Sequence, residues 1–90
     1  MRPELLDTRA VVNLNLGKER AAILDLEKAV RDAPTPARYF HLTRAHHMAK
    51  NAAQARVALQ RANELGLDVR QLQPIDQELY PRIVDELQKQ

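Results

Sequence analysis

The chain repeats itself once, and that constrains it more than any other feature. Shifted by 33 residues, Ala22 falls on Ala55, Leu26 on Leu59 and Ala29 on Ala62, and the neighbouring Glu27-Lys28 and Gln60-Arg61 match in character. Self-similarity at a fixed period of this size is the mark of stacked supersecondary units. Alanines seven apart on one helix have a physical use: they let a second helix approach where larger side chains would hold it away. The chain must therefore pack two similar helical units face to face.

The punctuation agrees. Pro3 is placed to open a helix that Gly17 ends at a tight turn. From Lys18 to Asp32, Ala22, Ile23, Leu26, Ala29 and Val30 recur at three- and four-residue steps and predict a second helix. Pro34-Thr35-Pro36 closes it, with Thr35 as the N-cap of a third helix running to about Ala49. Asn51 is expected to cap a fourth, which carries Ala55, Ala58, Leu59, Ala62 and Leu65 and stops at Gly66. Leu72, Ile75, Leu79, Ile83 and Leu87 then form one stripe, in phase across Pro81, and predict a single kinked helix over about 75–88.

Two such hairpins resemble the tetratricopeptide repeat, a helix–turn–helix unit of about 34 residues with the pattern W-x2-L-G-x2-Y…A-x3-F…P. Its slots are filled by Leu6, Arg9, Ala10, Asn13, Ala22, Leu26 and Pro34 in the first unit. In the second they are filled by Tyr39, Leu42, Thr43, His46, Ala55 and Leu59, with Ala62 at the second small position and Leu67 where proline is usual. Arg9 replaces a leucine, Asn13 and His46 replace tyrosines, and Lys50 replaces the turn glycine. The resemblance implies an all-α fold of about five helices, with antiparallel helix-turn-helix repeats stacked as a short right-handed solenoid. One domain would span 1–90, with hairpins at 3–34 and 36–67 and a capping segment and helix at 68–89. A generic antiparallel bundle is the competing architecture.

The resemblance also implies a concave groove for a peptide, lined by the first helix of each unit. By position those residues are Asp7, Val11, Leu14 and Asn15, then Phe40, His41, Arg44, His47 and Met48. Members that clamp a C-terminal carboxylate do so with paired Lys and Asn; here Asp7 and Val11 hold those places, and Asp7 would repel that ligand. A further face of the first helix carries Leu5, Val12 and Leu16, interrupted only by Arg9. A helix apolar on nearly all sides is normally covered on nearly all sides, so this face is expected to meet either a preceding repeat of a longer protein or a second copy.

Composition narrows the chemistry. There is no cysteine and no serine, so disulfides, thiolate metal sites and the commonest nucleophiles are excluded, and no glycine-rich phosphate loop occurs. His41, His46 and His47 are one, five and six residues apart, not the three or four that bring two ligands to one face of a helix. His46, in the inward tyrosine slot, is expected to be a partly buried, hydrogen-bonded core residue. Neither a metal, a cofactor nor an enzymatic activity is expected. Residues 33–63 hold Arg38, Arg44, Lys50, Arg56 and Arg61, all three histidines and no acid, whereas 64–90 carry six acids against three bases. The alternatives to peptide binding are therefore a nucleic-acid or other polyanion site on 33–63, and a structural end-cap of a longer array. No secretion signal or apolar run of membrane-spanning length is present, so a cytoplasmic protein-binding module is the expectation.

Overall fold

Five α-helices account for most of the computed structural model, which describes residues 1–89: α1 Pro3–Asn15, α2 Glu19–Asp32, α3 Pro36–Met48, α4 Ala52–Glu64 and α5 Pro74–Gln88. A short 3-10 turn at Val69–Gln71 precedes α5, and no strand occurs among the described residues. None of the helices is long and apolar enough to cross a membrane.

Local chemistry sets the boundaries. Proline opens α1, α3 and α5, where its missing N–H has no intrahelical partner to lose. The Thr35 hydroxyl accepts the Arg38 N–H at 3.1 Å and so caps α3. Asn51 stands at the start of α4 without capping it; its side chain turns instead to His46 Nδ1, 3.4 Å away. The turns after α1, α3 and α4 each hold one residue in the left-handed region, Gly17, Lys50 and Gly66, with φ of 77°, 62° and 91°. Each is closed by a bond five residues back: Lys18 N–H to the Asn13 carbonyl, Asn51 N–H to His46 and Leu67 N–H to Ala62, at 2.8–3.0 Å. The first two turns are again 33 residues apart, so Lys50 adopts a conformation that favours glycine.

Pairing follows the small residues. Ala22, Ala29, Ala55 and Ala62 have no exposed surface at all. α1 packs on α2 and α3 on α4, α2 also runs along α3, and α1 meets α3. Phe40 through His46 are buried without a break, which makes α3 the central helix. It belongs to both apolar clusters. One joins Ala10, Leu14, Ala22, Leu26 and Val30 to Leu42, Ala45 and Ala58; the other joins Phe40 and Ala55 to Leu72, Ile83 and Leu87.

α5 is one continuous helix through Pro81. Pro81 and Gln77, whose carbonyl loses its helical partner there, are both exposed, on the side of α5 that faces solvent rather than the core. The apolar stripe needs one correction: Ile75 is 43% exposed, and the position facing the core is Asp76, fully buried. Arg56 Nη1 donates to the Leu87 carbonyl at 3.0 Å, and Gln77 Nε2 to the Leu72 carbonyl at 2.7 Å, tying the two ends of α5 to the rest of the chain.

Candidate functional site

α1, α3 and α5 each contribute to one face, and a line of charges crosses it. His41 Nδ1 lies 2.7 Å from Asp7 Oδ1 and Nε2 lies 2.8 Å from Asp76 Oδ2, while Arg44 Nη1 donates to Asp76 Oδ1 at 2.8 Å. Asp76 is fully buried, and His41 and Arg44 are each 5% exposed. Burial alone would lower the His41 pKa, but its hydrogen bonds to Asp7 and Asp76 outweigh burial and push it up to about 9. His41 is therefore an imidazolium at neutral pH, donating from both nitrogens. Two carboxylates face two cations, so the buried group is close to neutral, which is the condition for tolerating charge in an interior. Arg38 extends the line: Nη1 donates to the Ala33 carbonyl at 2.9 Å and Nε sits 3.6 Å from Asp7 Oδ2.

This network overturns much of the expected groove lining. Phe40 is not an anchor open to a ligand; it is fully buried, with its ring centroid 5.6 Å from that of Tyr80 on α5. His41 and Arg44 are buried beneath Asp76, and Leu14 belongs to the core. Asp7 is half-buried and engaged by His41. In physical terms, α5 occupies the N-terminal half of the face a ligand was expected to fill. What stays accessible lies toward the C-terminal ends of α1 and α3: Val11 and His47 are half-buried, and Asn15 and Met48 exposed. Beside them a cavity of about 210 Å³ runs between α3 and α5, lined by Arg44, His47, Met48, Leu79, Arg82, Ile83 and Glu86. His47 Nε2 lies 3.4 Å from Glu86 Oε1 at its edge.

The basic segment is largely spoken for. Arg44 is held by Asp76, Arg56 by the Leu87 carbonyl, Arg61 by Glu64 at 3.3 Å, and Arg38 by the Ala33 carbonyl. His46 is buried, and burial lowers its pKa. Among the described residues no group of three or more His, Cys, Asp or Glu could hold a metal ion. Asp7 and Asp76 bind opposite nitrogens of the His41 ring, so their oxygens do not converge on a point, and no ring nitrogen is left for a substrate. Leu5, Val12 and Leu16 are 48%, 52% and 63% exposed, left open by the other described residues.

Two functional partnerships were missed in the sequence. Arg9, a misfit in an apolar slot, donates from Nε and Nη2 to Asp25 at 2.7 and 2.8 Å and clamps α1 to α2; these bonds hold the Asp25 carboxyl below its usual range. Asp76 had a visible signal. The steps 72, 76, 79, 83, 87 keep helical phase better than those through Ile75, and an acid on the apolar phase calls for a buried cation.

In comparisons with protein-family models, curated proteins and solved structures, nothing matches the chain.

Proposed function

We propose that the chain is a non-catalytic protein-binding module of tetratricopeptide-like build, and that it takes a short peptide in the cavity between α3 and α5. The build is supported by the equivalence of the two hairpins at a 33-residue step. The paired alanines are fully buried in both, and Gly17 and Lys50 share one left-handed turn conformation. The site is carried by one observation: Met48, Leu79 and Ile83 form an apolar floor flanked by Arg82 and by the His47–Glu86 pair. Apolar floors with a few convergent polar groups are what peptide and small-ligand sites use, and an exposed methionine adapts to varied partners. Val11 and Asn15 extend the same face along α1. A polyanion site fits less well, because four of the five arginine and lysine side chains of 33–63 already hold protein acceptors.

The test is selection of peptides from a displayed random library against the intact chain. Peptides recovered should lose binding to Met48→Glu, a change at an exposed position that leaves the core untouched, and should retain it in moderate salt. An empty selection, or peptides indifferent to Met48→Glu, would reject the site. Retention on heparin that collapses between low and moderate salt would favour the polyanion alternative instead.

A further inference from the structure

Basic side chains recur every three residues along α3, at Arg38, His41, Arg44 and His47, and Lys50 continues the step into the turn beyond it. Acids from α1 and α5 answer them in order. Asp7 sits 3.6 Å from Arg38 and 2.7 Å from His41, and Asp76 lies 2.8 Å from both His41 and Arg44. His47 is met more loosely, by Glu86 at 3.4 Å, in a pair whose side chains both stay partly in solvent. Among the described residues Lys50 has no acid within ion-pair distance, and neither has Arg82 on α5. Two cavities meet at this unanswered end. One, of about 210 Å³, has the apolar floor of Met48, Leu79 and Ile83; the other, of about 200 Å³, is bounded by His47, Lys50, Ala52 and Glu86. His47 and Glu86 belong to both, so their pair is the wall between them. Glu86 thus stands alone against His47, Lys50 and Arg82, and pairs only with His47. Lys50 carries its charge on a backbone with φ of 62°, where the matching turn of the first hairpin has Gly17. Strain of this kind gathers at residues whose side chains are used.

The geometry points to a partner segment of acidic and aliphatic character: one large aliphatic side chain fills the apolar cavity, and a Glu or Asp side chain one or two residues along enters the second cavity and pairs with Lys50 and His47. This rests on the peptide reading of the α3–α5 cavity and names what that peptide carries. Charge complementarity selects the acid, because a carboxylate from the partner completes the series that Asp7, Asp76 and Glu86 begin. Spacing agrees. In an extended segment, alternate side chains project to the same side about 7 Å apart, which suits two cavities that share one wall. The apolar floor supplies most of the affinity, since an exposed ion pair adds only about 0.2–1 kcal/mol, or roughly 2–5-fold.

The test uses peptides selected against the intact chain from a random library with linkers on both flanks, so that no terminal carboxylate is offered. Those that lose binding to Met48→Ser, a change that adds no charge, are synthesised acetylated and amidated. Each should carry an acid within two residues of a large aliphatic residue. Titration calorimetry should show that replacing the acid by its amide weakens binding about 2–5-fold. In Lys50→Gln the same replacement should cost under about 1.5-fold, and circular dichroism verifies that this exposed variant folds. Lys50→Glu should reverse the preference, so that a peptide with Lys in place of the acid binds it better than the acidic original. Met48-dependent peptides that lack an acid overturn the assignment and leave the cavity standing as a peptide site. So does an acid whose replacement costs as much in Lys50→Gln as in the native chain. An empty selection, or peptides indifferent to Met48→Ser, removes the site itself and the acidic partner with it.

Discussion

Replacing Asp76 by Asn changes one oxygen to an NH2 group and leaves the packing volume nearly unchanged, so its effect isolates the electrostatics of the α5 anchor. The carboxylate is fully buried and accepts from His41 Nε2 and Arg44 Nη1, both at 2.8 Å. An amide there has one acceptor oxygen for two donors and turns its own donor toward a cation. Arg44, 5% exposed, is left in the interior without its counter-ion. Removing one partner of a buried pair typically costs about 3–5 kcal/mol. A 90-residue domain has roughly 5–13 kcal/mol in total, so the loss is a large fraction of it. At roughly 4–8 °C per kcal/mol, the melting temperature should fall by at least about 12 °C. Urea denaturation at pH 7, followed by circular dichroism, measures the first quantity, and a thermal scan the second. Hydrogen exchange should show α5 amides losing protection before those of α2 and α3, because α5 is the element the carboxylate holds. A loss under about 1 kcal/mol, the range of exposed ion pairs, would refute the claim that this network anchors α5.

Other outcomes follow from the same geometry. His41 has its folded pKa raised to about 9 from 6.5, so its contribution of about 3 kcal/mol is fully present below pH 6.5 and is lost as pH rises toward 9. Denaturation midpoints should fall across that window, and a flat or rising profile, or the same slope in His41→Gln, would contradict it. His46, whose pKa burial lowers, acts only on the acid side of pH 6.5 and leaves the window clear. Lys50→Gly should stabilise the chain by about 0.5–1 kcal/mol in the same assay, since it relieves a φ of 62° that a side chain disfavours; a loss of stability would show that the lysine side chain compensates. Ala29→Leu adds three carbons at a helix position with no exposed surface and should cost about 1–3 kcal/mol. A neutral result would mean that α2 does not lie as close to its neighbouring helices as the full burial of Ala29 implies.

The legible parts of this protein are those with short-range causes. Helix starts at Pro3 and Pro36, the Thr35 cap and the glycine turns depend on a few neighbouring residues. The buried alanines announce themselves because each occurs twice at one spacing. Propensity and periodicity act along the chain, and one sequence suffices to read them. The groove was legible only as a set of positions. Val11, Asn15, His47 and Met48 stay accessible, whereas Phe40, His41 and Arg44 do not, because α5 lies over them.

That covering depends on Asp7, His41 and Asp76, separated by 34 and 35 residues. Nothing local distinguishes them from solvated charges: each is an ordinary polar residue on a helix until the helices are stacked. Desolvation is a property of the assembled interior, and so is the choice between a charge that repels a ligand and one that holds a helix. The amino-acid order by itself determined an all-helical chain of two equivalent hairpins and a final helix. Tertiary packing alone decided where that final helix rests and which charges it buries, because a buried ion pair exists only between groups that folding has brought out of water together.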